Sequence, residues 1–221
     1  MKISKNNFFN SYNPYLIGIT GNFGTGKSLV GNILQSHGVT VFDTDDIVAK
    51  ILSSKNLATK KIVNYFGDSI VNNLKSQYLN KKALAKMVFN SAKKLRFLES
   101  IIHPEVRKIL KSLIQKNKNQ KIIAVLIPLL FESKQECDYN ETWCIVCSKD
   151  IQYKRLLKKG FTLHEIKLRL QSQMKQAEKT KKVDIIINNL GSRKQTKHQV
   201  LNRLNLLLAQ LNRNPHPSSG K

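Results

Sequence analysis

Apolar residues along this chain follow two alternating rhythms. Short, nearly continuous apolar runs at residues 15–20, 39–43, 121–127, 142–147 and 184–188 read as buried strands. Between them the apolar positions recur every three to four residues, the spacing of helices that bury one face. That spacing predicts a helix from Lys27 to about Ser36, ended by His37-Gly38, and helical chain with Lys-rich outer faces from Asp45 to about residue 118. It predicts two late helices over 151–159 and 163–175. A last helix over 195–211 carries Val200, Leu201, Leu204, Leu207, Leu208 and Leu211 on one stripe. Strands alternating with helices argue for an α/β fold, three layers around a parallel five-stranded sheet.

The helical stretch after the second strand is too long for a simple crossover, so part of it is expected to stand off the core. The expected division is a core of 14–45, 119–149 and 183–212, a helical lobe of 46–118, a helical cover of 150–182, and flexible tails at 1–13 and 213–221. The longest apolar run, 122–131, contains Pro128 and is too short to span a bilayer. The first fifteen residues lack the apolar core of a secretory signal, which sets the expectation of a cytoplasmic protein with no membrane partner.

At 221 residues the chain can bury one sizeable core, and 41% hydrophobic with 24% charged residues is ordinary for a globular protein. The net charge of +24 is not ordinary. Only 7 of the 38 basic residues are Arg, and they are spread from end to end among many Asn and Ile. Readers of nucleic-acid phosphates gather Lys and Arg on a stripe. The scatter favours base-composition drift over a specific nucleic-acid partner, and a phosphate-rich small substrate fits either way. Cys144 and Cys147 form a CxxC without a second pair, on a strand that points their sulfurs to opposite faces, so they read as reduced structural cysteines.

The chemistry enters at Gly21-Asn22-Phe23-Gly24-Thr25-Gly26-Lys27-Ser28, a full G-x-x-x-x-G-K-[ST] between a predicted strand and a predicted helix. Glycines allow a tight turn whose N–H groups converge on phosphate oxygens, and the helix adds its positive end. Lys27 is expected to reach the β- and γ-phosphates of ATP, and Ser28 to hold Mg²⁺. No base-reading NKxD segment of a GTPase follows, and the third strand ends in Pro128 rather than in a metal-binding Asp. A kinase with an acceptor lobe and a lid fits better. Asp43-Thr44-Asp45 closes the second strand, where positions i and i+2 share a face. One carboxylate there could order water on Mg²⁺ and the other accept a proton; equally, one caps the next helix and the other is solvated.

Further motifs resemble the dephospho-CoA kinase family from about Leu16 to Leu211. The loop is close to that family's G-L-T-G-G-I-G-S-G-K-S, with Phe23 where the pattern has Ile. Asp43-Thr44-Asp45 lies at its D-A-D. His103-Pro104 with Arg107 is similar to its H-P-x-x-R, and Pro128-Leu129-Leu130-Phe131-Glu132 to its P-L-L-F-E. Arg155, Arg169, Gln173-Met174 and Glu178-Lys179 resemble its lid, and Asp184 to Asn189 with Gly191 its A-D-x-x-I-x-N-x-G. The resemblance implies phosphorylation of the ribose 3′-hydroxyl of dephospho-CoA by ATP with Mg²⁺, by a monomer or weak oligomer. It implies Lys27, Asp45, Arg155 and Arg169 as catalytic groups. Gly21, Phe23, Gly24, Thr25, Gly26, Lys27, Ser28, Leu29 and Asn189 would line ATP. Asp43, Asp45, His103, Arg107, Leu129 and Glu132 would meet the acceptor, and Ser28 and Asp43 the metal. The chain departs from the pattern at Leu29, at Ala49, followed by Lys50, at the shortened lid turn Lys159-Gly160, and at Lys175, where the family has Pro.

Overall fold

The computed structural model describes residues 14–72, 78–89 and 91–213. The tail expectations for 1–13 and 214–221 lie outside the described residues; Arg213 ends the last helix. Five strands, β1 (Tyr15–Thr20), β2 (Thr40–Asp43), β3 (Ile122–Leu126), β4 (Glu141–Val146) and β5 (Ile185–Asn188), form one parallel sheet in the order β2-β3-β1-β4-β5. The central strand β1 pairs Tyr15 with Ile122 and Ile17 with Ala124 on β3, and Ile17 with Glu141 on β4. All five residues of β3 are buried, as a strand covered on both faces demands.

Helix α1 (Lys27–Gln35) and the last helix pack on this sheet. Val30, Ile33 and Leu34 meet Ile17, Ile19, Trp143, Ile187, Val200, Leu204 and Leu207 in one core cluster. Leu201, Leu208 and Leu211 pack against its margin. The expected stripe is therefore the buried face of that helix.

The chain divides into two compact units, one comprising the segments up to Phe42 and from Ile114 onward, the other Asp43–Leu113. The second unit is helical: α2 (Thr44–Ser53), α3 (Leu57–Phe66), α4 (Lys81–Phe89) and most of α5 (Ala92–Lys116). Asn56 and Thr59 start α3 with a reciprocal capping box, and Tyr65 stacks on Phe97. Pro104 does not start a helix: α5 runs unbroken through it for 25 residues. Proline removes one N–H from the ladder, while Ile102, Val106, Leu110 and Ile114 bury a continuous stripe that holds the helix together.

In the first unit, α6 (Lys149–Lys158), α7 (Leu163–Gln171), the short α8 (Gln176–Thr180) and α9 (Arg193–Arg213) complete the chain. The expected helix over 163–175 ends early, at Gln171 with Ser172 as its cap, and the unexpected short α8 follows once Lys175 turns extended at φ −58°, ψ 140°. That is the conformation a proline would impose, so Lys175 keeps the geometry of the residue it replaces. The shortened turn after α6 closes on Gly160 at φ +86°, with Phe161 N–H returning to the Leu156 carbonyl.

Candidate active site

The loop between β1 and α1 is held by its own side chains and by the chain beyond β5. Thr25 sends both its N–H and its hydroxyl to the Asn22 carbonyl, at 3.2 and 2.9 Å. Gly26 caps α1 in the left-handed region with no side-chain cap, so the positive end of the helix meets the loop without a side chain over it. A Cβ at Gly26 would collide with the amide of Asn189. That amide is 2% exposed, donates to the Thr25 carbonyl at 2.7 Å and accepts from the Thr196 hydroxyl at 3.0 Å. Arg155 reaches the same corner, donating to the carbonyls of Asn189 at 3.2 Å and Thr25 at 3.5 Å.

Lys27 arcs back over the loop, its Nζ 2.8 Å from the Gly21 carbonyl and 3.4 Å from that of Asn22. Ser28 is exposed one position further, and Leu29 packs against the core cluster instead. An uncapped helix end, a lysine arched over it and an open hydroxyl fit a triphosphate with its cation. Among the described residues no cluster of three or more His, Cys, Asp or Glu could cage an ion. A magnesium ion here would depend on Ser28, phosphate oxygens and water, its usual manner in such sites.

The late helices lie across this loop. Gln152 donates to the Phe23 carbonyl, Phe23 N–H donates to Gln173 Oε1 at 2.8 Å, and Asn22 Nδ2 donates to the Met174 carbonyl at 3.0 Å. Leu156 packs against Gly24. The guanidinium of Arg169 lies over the ring of Phe23.

A buried ion pair ties the end of this cover to the β3 exit. Lys179 is fully buried, 2.7 Å from the Pro128 carbonyl and 3.0 Å from Glu132 Oε1. The same oxygen accepts from Met174 N–H at 2.7 Å, and Thr20 also donates to the Pro128 carbonyl, at 3.3 Å. Glu132 Oε2 is buried without a hydrogen-bond partner among the described residues. Leu129 is half-buried beside them. Burial pushes the Cys144 thiol up to about 11, with Lys179 and then Lys27 pulling the other way.

Asp43, Asp45, His103 and Arg107 belong to the helical unit. The expectation that Asp43 and Asp45 share a strand face is corrected here. The strand ends at Asp43, whose carboxylate caps α2 by accepting from Asp45 N–H at 2.9 Å, so Asp45 already lies in a helical first turn. Nor is β2 the neighbour of the loop-bearing strand, because β3 lies between them. His103 and Arg107 stand one turn apart on α5, both half-buried. Ala49 accepts at its carbonyl from Lys81 and Ser53.

Asn22, Gln152 and Thr196 complete the site and carry no signal of their own in the sequence; Gln173 and Lys179 stand there only among the lid residues of the family resemblance, with no role assigned. Asn22 is a free position of the loop motif.

Comparison with known proteins agrees with this arrangement. The dephospho-CoA kinase family model matches residues 15–195. A dephospho-CoA kinase of Carboxydothermus hydrogenoformans is 36% identical over 189 residues, covering 84% of this chain and 91% of that protein. One of Staphylococcus haemolyticus is 32% identical over 85% of this chain and 93% of its own. Among solved structures, a Thermus thermophilus protein superposes with a TM-score of 0.75 at 31% identity, over 90% of this chain and 98% of that one. The dephospho-CoA kinase from Campylobacter jejuni does so with a TM-score of 0.65 at 29% identity, over 88% and 98%. The family model spans the residues that carry the motifs read along the sequence, and the chain belongs to the dephospho-CoA kinase family.

Proposed function

We propose that this chain transfers the γ-phosphoryl of ATP to the ribose 3′-hydroxyl of dephospho-CoA, giving ADP and CoA, the last step of CoA synthesis. The observation that carries the reading is the loop at 21–28, with an uncapped α1, Lys27 arched over it and two lid arginines against its rim. Lys27 exchanges the Gly21 and Asn22 carbonyls for β- and γ-phosphate oxygens. Ser28 through its hydroxyl, and Asp43 through water, would hold Mg²⁺, which would supply positive charge against the phosphates.

Asp45 faces the 3′-hydroxyl, orients it and takes its proton as the new P–O bond forms and the bond to ADP breaks. Arg155 and Arg169 stabilise charge on the moving phosphoryl. His103, Arg107, Leu129 and Glu132 hold the acceptor. Residues 46–118 act as its lobe and 150–182 as the lid. Only one oxygen of Glu132 is taken by Lys179 and Met174, which leaves Oε2 for a ligand donor.

The test is ADP release with Mg-ATP and a panel of dephospho-CoA, nucleoside monophosphates and single-stranded DNA. Dephospho-CoA is expected to give the highest kcat/KM. A tenfold preference for a nucleoside monophosphate sinks the acceptor assignment and leaves the phosphate loop standing.

A further inference from the structure

Arg169 packs against two aromatic rings that touch each other. Its guanidinium carbon is 4.8 Å from the ring centre of Phe23, in the phosphate loop, and 5.0 Å from that of Phe161, in the turn between α6 and α7. The rings meet edge to face at 5.0 Å and 82°, a favoured aromatic geometry. Neither ring is loosely placed. Phe23 is fixed on both sides of its backbone by Gln152 and Gln173, and Phe161 N–H closes the turn on Leu156. Phe23 stands where the family pattern carries an isoleucine, which has no π face to offer.

A guanidinium over an aromatic face is attracted by the ring quadrupole, and Arg, planar and weakly hydrated, suits such a seat better than Lys. The chain carries a net charge of +24 and places Lys27 in the same loop. Glu165, one turn earlier on α7, attracts the guanidinium, and bringing another cation to that rim gains from a second attraction. The two rings supply one.

We infer that Phe23 and Phe161 are positioning residues: they form an aromatic seat that holds Arg169 at the rim of the phosphate loop before ATP arrives, so that little reorganisation remains when the phosphoryl moves. The inference rests on the proposed phosphoryl transfer and adds how its lid arginine is set. An arginine seated in advance lowers the barrier more than it strengthens ATP binding, so its loss falls on kcat.

The experiment compares Phe161→Leu, which keeps apolar bulk, with Phe161→Tyr, which keeps the ring, each alone and combined with Arg169→Lys. Phe161→Leu is expected to lower kcat about tenfold with KM for ATP within about threefold, and Phe161→Tyr to restore most of that loss. Adding Phe161→Leu to Arg169→Lys should cost little more, because the ring acts through the arginine. Hydrogen exchange over residues 163–175 in the nucleotide-free chain provides a readout independent of turnover, expected to be faster in Phe161→Leu than in Phe161→Tyr. Equal kcat and equal exchange in the Leu and Tyr variants, or fully additive losses with Arg169→Lys, would overturn the seat. A wild-type chain inactive on dephospho-CoA but with the predicted exchange difference would overturn the acceptor assignment alone.

Discussion

Lys179 is the side chain whose removal should be felt most. Its ammonium has no exposure and binds one carboxylate oxygen and one carbonyl, so an apolar replacement leaves Glu132 with a buried charge and a lost partner. Breaking a buried pair from one side costs about 3–5 kcal/mol, and the 19% exposure of the Glu132 side chain argues for the lower end. Lys179→Met is expected to lower Tm by roughly 6–12 °C, read by thermal unfolding. Lys179→Met with Glu132→Leu should recover part of that loss; a single variant within about 2 °C of wild type would remove the pair from the list of supports.

The two acids at the start of α2 separate by the same kind of reasoning. Asp43 is a cap, so Asp43→Ala should cost about 1 kcal/mol of stability whatever its role in catalysis. Asp45 lies inside the first turn of α2 and is not its N-cap residue. Asp45→Asn is expected to leave the urea midpoint unchanged and to lower kcat by about a hundredfold. A kcat within threefold of wild type would return Asp45 to a helix first-turn acid. The sequence marked both residues. It could not place them, because an Asp at a strand end reads equally as the last strand residue or as a cap, and the cap geometry decides.

The sheet was largely readable in advance, since each strand is a bounded apolar run and its burial follows directly. The order of the strands was not. Pairing partners are set by crossovers that leave no local mark, and β3 enters between β1 and β2 from about 80 residues further along. The reading carried α7 four residues too far and did not foresee α8, because Lys175 turns the chain as a proline would without being one.

Cys144 on β4 shows what burial in this sheet does to a proton. The unfolded thiol gives up its proton near pH 9, the folded one only near 11. The stability gained by holding that proton is intact below pH 9 and is lost as pH rises towards 11. Urea unfolding of the wild type should therefore lose up to about 1.4 kcal/mol per pH unit across that window relative to Cys144→Ala. Parallel curves for the two proteins would show that the thiol titrates normally.

Across the entire chain the excess of lysine is the most visible property and the least specific. Any DNA binding is expected to be indifferent to sequence and to vanish as salt rises through physiological strength, in a filter or anisotropy titration. Sequence-selective binding that survives such salt would favour a specific nucleic-acid partner over base-composition drift as the meaning of the charge.

The placement of β1 in the middle of the sheet also sets a timetable for the ribosome. Both of its pairing partners, β3 and β4, are encoded about 100 residues downstream, beyond the whole of the 43–113 unit. At roughly 5–20 residues per second, an apolar strand waits on the order of five to twenty seconds with both edges unpaired. The helical unit emerges complete during that interval and can fold from contacts within itself. The nascent chain is thus most exposed to holding chaperones, and to association with its neighbours on a polysome, before β3 leaves the exit tunnel. Slow codons read before β3 has emerged would lengthen the exposure, and slow codons read afterwards would not.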